Sequence, residues 1–166
     1  MSLVAMQEAW DVLAEVPDPE VPVLSVCDLG IVREVDSRAD GLHVVLTPTY
    51  SGCPATEAIE AAVRDALERA QLGPVHVEQR LAPAWTSDWI SEDGRRKLRE
   101  YGIAPPSGSA AVPSGSQPVR LMARGLACPR CDSAATERIS AFGSTACKSL
   151  YRCTACREPF EYFKPI

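Results

Sequence analysis

Two C-x-x-C pairs, Cys128–Cys131 and Cys153–Cys156, stand 21 residues apart near the end of a 166-residue chain. Each pair can close a tight knuckle that aims two sulfurs at one point, and a hairpin between the knuckles would bring all four together. Residues 120–166 are too few to stabilise themselves by apolar burial alone, so this segment needs a cross-link. The spacing predicts a four-cysteine ribbon around structural zinc, with E-R-I-S, S-L-Y-R and F-E-Y-F as its strands. A rubredoxin-like iron site shares the ligand set, but its knuckles usually carry glycine after the second cysteine, where this chain has Asp132 and Arg157. A redox dithiol would leave one pair unexplained. Cys147 lies outside the spacing and is expected to pack inside the hairpin.

Ahead of the ribbon runs A-P-P-S-G-S-A-A-V-P-S-G-S-Q-P, residues 104–118, with no charge and little to bury. Such a stretch reads as a flexible linker. The expected organisation is a first domain over residues 1–103, a linker over 104–119 and the ribbon over 120–166. Residues 1–119 carry 9 basic and 18 acidic side chains, and residues 120–166 carry 8 and 4. Four thiolates around one divalent ion would halve the positive excess of the tail. A zinc-ribbon nucleic-acid binder needs a basic aromatic surface, and the acidic first domain speaks against that class.

Met6, Ala9, Trp10 and Leu13 recur at helical spacing and predict a helix over residues 4–15, stopped by Pro17, Pro19 and Pro22. Residues 30–36 read as a strand, Asp40-Gly41 as a turn, and Leu42, Val44 and Leu46 alternate with His43, Val45 and Thr47. A β-hairpin with one buried face follows. Residues 54–70 place Ile59, Val63, Ala66 and Leu67 on one helical stripe that ends at Gly73-Pro74. Val75, Val77 and Leu81 suggest a third strand, and residues 92–101 a further helix. The fold class expected is α+β: a small mixed sheet with helices on one face, then a small all-β zinc ribbon. His43 and His76 fall on polar strand faces and are expected at the surface. Trp85 and Trp89 are expected to pack, with a partner-docking surface as the alternative.

Between the hairpin and the second helix lies T-P-T-Y-S-G-C-P, Thr47 to Pro54. Pro54 suits the first position of a helix, where a missing N–H costs nothing. That would put Cys53 at or beside the N-cap, facing free backbone N–H groups and the positive end of the helix dipole, which favour thiolate. The competing reading is a small buried hydrophobe closing a turn. Asp18, Glu20 and Asp28 sit around proline-rich turns, where carboxylates often cap backbone.

Several separated motifs resemble those of iron–sulfur assembly factors of the SufT type and their eukaryotic cytosolic relatives. They are Asp18-Pro19-Glu20, Asp28-Leu29-Gly30, Thr49 and Gly52-Cys53-Pro54, in that order over about residues 5–80. Two further stretches, P-A-W-T-S-D-W-I-S-E-D-G-R-R-K-L-R-E-Y-G-I-A-P-P and F-G-S-T-A-C-K-S-L-Y-R-C, resemble the PaaD proteins, again followed by the same ribbon. PaaD proteins belong to the gene cluster of the multicomponent phenylacetyl-CoA epoxidase of aerobic phenylacetate breakdown.

That resemblance implies an accessory factor that matures a metal centre, either the oxygenase di-iron site or the reductase iron–sulfur cluster. It implies a functional role for Cys53, with Asp28 and Thr49 beside it; Cys27 could be a second ligand if the turns meet. Transient iron or an iron–sulfur cluster would be the cargo. The partners implied are oxygenase or reductase subunits and iron–sulfur assembly proteins, and pairing with a second copy stays open. A structural or regulatory subunit that transfers no metal is the alternative. The chain has no E-x-x-H pair for a di-iron site and no G-x-G-x-x-G, so no turnover of its own and no catalytic residue is expected.

The first basic residue is Arg33, preceded by Glu8, Asp11 and Glu15, so no secretory leader is expected. No apolar run approaches the roughly 18 residues of a membrane helix. A cytoplasmic location follows. The seven cysteines are an odd number and four of them fall in the two C-x-x-C pairs, a pattern that in a reducing compartment points to metal ligation and not to disulfides.

Overall fold

The computed structural model describes residues 3–50, 52–107 and 126–166, with side chains from Met6 onward. Most of the expected linker, residues 108–119, lies outside the described residues.

The first helix, α1 (Leu3–Ala14), buries Ala9 and Leu13. The hairpin follows as β1 (Val32–Arg38) and β2 (Gly41–Leu46), paired antiparallel. The second helix, α2 (Thr56–Arg69), buries Ile59, Val63 and Leu67, an i, i+4, i+8 stripe along one face. β3 (Val75–Gln79) then pairs parallel with β2, from Leu42 opposite Val75 to Leu46 opposite Gln79. A parallel pair cannot be joined by a tight turn, so α2 serves as the crossover. The order β1-β2-β3 is therefore a small mixed sheet, with α1 packed on β1 and α2, and α2 on β3. Leu81 is 60 % exposed and lies beyond the end of β3.

Gly41 explains how the hairpin meets β3. Its φ is +140°, and a Cβ there would sit 2.3 Å from the Pro74 carbonyl oxygen. Without a side chain, the backbone comes close enough for the Leu42 N–H to donate to that oxygen at 2.8 Å. The β1–β2 turn is thus held against the start of β3.

A 3-10 turn (Ser87–Trp89) leads into α3 (Glu92–Tyr101). The ribbon sheet has the order β4-β7-β6-β5, with β4 (Ile103–Ala104), β5 (Thr136–Ser140), β6 (Lys148–Cys153) and β7 (Pro159–Phe163). The α+β class and the all-β ribbon are as the sequence predicts. None of the described helices is long and apolar enough to cross a membrane.

Among the described residues, packing sets 3–85 and 89–94 in one unit and 86–88, 95–107 and 126–166 in another. That differs from a boundary at residue 103. Ile103 and Ala104 pair in parallel with Glu161 and Tyr162 of β7. Ala104 joins Cys128, Cys153 and Phe160 in the ribbon core. A segment with so little to bury recruits apolar cover from beyond its own sequence limits, and β4 supplies it. Ser87 belongs there too: its N–H donates to the Ile166 carbonyl at 3.0 Å.

Candidate functional site

The two cysteine knuckles are built alike. The Cys128 N–H donates to the Ser133 carbonyl and the Cys153 N–H to the Glu158 carbonyl, each at 3.0 Å and each closing over five residues. The residue after each second cysteine is left-handed, Asp132 at φ 59° and Arg157 at φ 67°. Glycine takes that conformation freely, whereas other residues give up about 1 kcal/mol or more. The knuckle shape is kept without glycine, so its absence carries no weight against an iron site.

Cys128 Sγ lies 3.8 Å from Cys156 Sγ, and Cys131 Sγ lies 3.6 Å from Cys153 Sγ. All four sulfurs fall within 4.8 Å of one another. A tetrahedral ion with sulfur bonds of about 2.3 Å spaces its ligands about 3.8 Å apart, so the cluster fits zinc. The Arg130 N–H points at Cys128 Sγ from 3.4 Å. The backbone amide of Cys156, aided by that of Ala155 and opposed by burial, draws the Cys153 thiol down to about 7. At Cys156 the Glu158 amide also favours thiolate, but burial and the hydrogen bonds with the other three sulfurs outweigh it and push that thiol up to about 12, so the metal-free cluster keeps protons that an ion would displace. Cys147 stays outside this cluster; it is buried, with its Sγ 3.0 Å from Thr145 Oγ1.

The T-P-T-Y-S-G-C-P stretch folds differently from its expected form. The Cys53 N–H donates to the Tyr50 carbonyl at 3.3 Å, and Gly52 stands at the third position of that turn with φ +85°. Such a turn asks for glycine there. The helix does not begin at Pro54: its N-cap is Ala55, which makes no side-chain cap, and Thr56 is the first helical residue. The Thr56 Oγ1 donates to the Cys53 carbonyl at 2.8 Å, and its N–H does so at 3.2 Å. Cys53 therefore sits two residues before the N-cap and is 9 % exposed. Cys53 is thus neither the N-cap nor its neighbour.

Asp28 and its neighbours form a clasp. Asp28 Oδ2 accepts from the Ser25 N–H and Ser25 Oγ accepts from the Asp28 N–H, both at 3.0 Å. The Ser91 hydroxyl donates to Asp28 Oδ1 at 3.2 Å, and the Ser91 N–H donates to the Asp28 carbonyl at 2.9 Å. Ser91 Oγ in turn accepts from the Gly94 N–H at 2.9 Å, capping α3. Trp85 Nε1 donates to the Leu29 carbonyl at 2.8 Å. Gly30, at φ +66°, lets Trp89 approach so closely that a Cβ would lie 2.6 Å from the Trp89 carbonyl oxygen. Asp28-Leu29-Gly30 is thus the seat for Trp85 and for residues 89–94, and Trp85 packs as expected. Asp18 closes its own turn, accepting at Oδ1 from the N–H groups of Glu20 and Val21 at 2.9 and 2.7 Å.

Thr49 is buried. Among the described residues, Cys27, Asp28 and Cys53 do not gather into a ligand cluster. Burial, reinforced by the Asp28 charge, pushes the Cys27 thiol up to about 11, so it is protonated near neutral pH.

Comparison with known proteins adds to this geometry. Residues 6–78 match the family described as iron–sulfur cluster assembly protein. Residues 113–164 match the PaaD zinc beta ribbon domain. A protein of Escherichia coli K12, provisionally named as a component of 1,2-phenylacetyl-CoA epoxidase, is 51 % identical over 161 residues, covering 97 % of this chain and 93 % of that one. The chain belongs to the PaaD family. A crystal structure of a domain of unknown function (DUF59) from Bacillus anthracis has a TM-score of 0.53 at 22 % identity, covering 57 % of this chain and 92 % of that one. That likeness concerns fold alone. A conserved hypothetical protein of Thermotoga maritima has a TM-score of 0.48 at 26 % identity, covering 55 % of this chain and 91 % of that one.

Within this PaaD-family chain, sequence reading missed Ser25 and Ser91 as partners of Asp28. Ser25-x-x-Asp28 has the spacing of a reciprocal cap, a local signal that was available. The contact of residue 28 with residue 91 had none.

Proposed function

We propose that this PaaD-family chain is a non-catalytic maturation factor for a multicomponent phenylacetyl-CoA epoxidase, acting in the cytoplasm on oxygenase or reductase subunits. The observation that carries the reading is the pairing within one chain of an iron–sulfur assembly domain over residues 6–78 with near full-length likeness to a protein named as an epoxidase component. Iron, or an iron–sulfur cluster, is the cargo, received at Cys53 when a partner opens the turn. Cys128, Cys131, Cys153 and Cys156 hold one zinc, which supplies a structural cross-link to the ribbon.

A second reading has specific support. Cys53 is 9 % exposed, and the carboxylates of Asp18 and Asp28 are engaged with backbone. Those facts suit a subunit that braces the complex without transferring metal.

The test is the iron content of the oxygenase and reductase produced in cells with the parent chain, with Cys53→Ser, or with neither. Maturation predicts that iron falls about ten-fold without the chain and equally with Cys53→Ser, while the variant keeps its fold and zinc. Full iron loading with Cys53→Ser overturns transfer through this thiol and leaves the bracing subunit.

A further inference from the structure

Leu42-His43-Val44 on β2 and Val75-His76-Val77 on β3 share one pattern, and the parallel register sets His43 directly against His76. The two imidazoles stack, with centroids 4.6 Å apart and an interplanar angle of 23°. The β1–β2 turn brings a carboxylate to the same place. Asp40 Oδ1 lies 2.9 Å from His43 Nε2, and Asp40 Oδ2 lies 3.8 Å from His76 Nε2. The Asp40 carbonyl oxygen is 3.2 Å from His76 Nε2 as well. The three side chains come from separate elements, yet their nitrogen and oxygen donor atoms all fall within 4.8 Å of one another.

The backbone builds this arrangement. Strand pairing fixes one histidine against the other, and the close approach of Gly41 to Pro74 fixes the turn that carries Asp40. We propose that Asp40, His43 and His76 form a binding site for one first-row divalent cation, separate from the four-cysteine cluster. Two imidazole nitrogens and one carboxylate oxygen are a donor set for borderline metals such as zinc, nickel, cobalt or ferrous iron. Bonds of about 2.0–2.2 Å place three such donors roughly 3–3.5 Å apart. The 3.8 Å spacing between Asp40 and His76 closes by rotation of those two side chains, which are 63 % and 49 % exposed.

Three protein ligands leave further coordination positions free. Asp40 also lines a groove of about 490 Å³ formed by residues 37–41 and 71–74. A site with this few ligands and this much exposure binds reversibly, in contrast to a closed four-thiolate cage.

The test is titration of the full-length protein, its ribbon already loaded with zinc, with Co²⁺. One additional equivalent is expected, with the weak visible absorption of nitrogen and oxygen coordination and no new sulfur-to-cobalt charge-transfer band. His76→Ala and Asp40→Asn should each weaken that binding about ten-fold or more, with zinc content and far-UV circular dichroism unchanged. The proposal is overturned if no additional Co²⁺ binds at millimolar metal. It is overturned equally if both variants bind as tightly as the parent, or if binding brings a sulfur band that marks Cys27, Cys53 or Cys147 as the ligand.

Discussion

At Cys27 a single side chain shows how burial and charge act together. The thiol is half-buried beside Asp28, and both burial and that neighbouring charge disfavour thiolate, raising its pKa from 9.0 to about 11. A value raised in the folded state means the folded protein holds its proton longer than the unfolded chain. Its contribution to stability is therefore complete below pH 9.0 and is lost as pH rises towards 11. At pH 8, Cys27 should react with iodoacetamide about 100-fold more slowly than an ordinary thiol, which mass spectrometry of the labelled protein reads directly. A rate equal to that of a free thiol would show that burial and the Asp28 charge do not suppress ionisation. Cys27→Ser should remove the part of the alkaline stability loss that falls in this window. Gly30 makes the complementary point at the backbone: its missing Cβ is what lets Trp89 sit against the Asp28 clasp.

Among the elements, a buried polar pair supplements the small apolar core of the ribbon. Lys148, nearly fully buried at the start of β6, meets Glu161 Oε2 of β7 at 2.9 Å. Burial pushes the Glu161 carboxyl up, but the Ser144 amide and the Lys148 ammonium outweigh it and hold it below the usual carboxylate range. The same carboxylate closes the loop before β6, where a Cβ on Gly143 would lie 2.6 Å from Glu161 Oε1. The knuckles show a cost left in place. Arg157 holds φ 67°, which glycine adopts without strain. Arg157→Gly should raise ribbon stability by about 1 kcal/mol in urea denaturation at fixed free zinc, the relief of left-handed strain exceeding the added chain entropy. A loss of stability instead would mean that the arginine side chain contributes more than the strain it brings.

For the molecule as a whole, the division by packing makes a prediction that chain order would not. Removing the proposed zinc with a chelator should unfold the ribbon, because metal binding supplies about 10 kcal/mol or more to such small domains. Residues 95–104 should lose amide-exchange protection together with β5, β6 and β7, while Leu24, Val44 and Val63 keep theirs. Retention of protection at Ile103 after chelation would place the boundary at residue 103 after all. Apart from β4, the sequence by itself determined the helices and strands and their class, because apolar spacing at 3.6 and 2 residues is a local property of the chain. It also determined the four ribbon cysteines, since C-x-x-C encodes its own turn. Tertiary structure decided what depends on distant segments meeting. It seated Trp85 and residues 89–94 on Asp28-Leu29-Gly30, moved Ile103 and Ala104 into the ribbon sheet, buried Cys53 ahead of its helix and set His43 beside His76. Strand register and close backbone approach produce those contacts, and neither can be read from spacing along one chain.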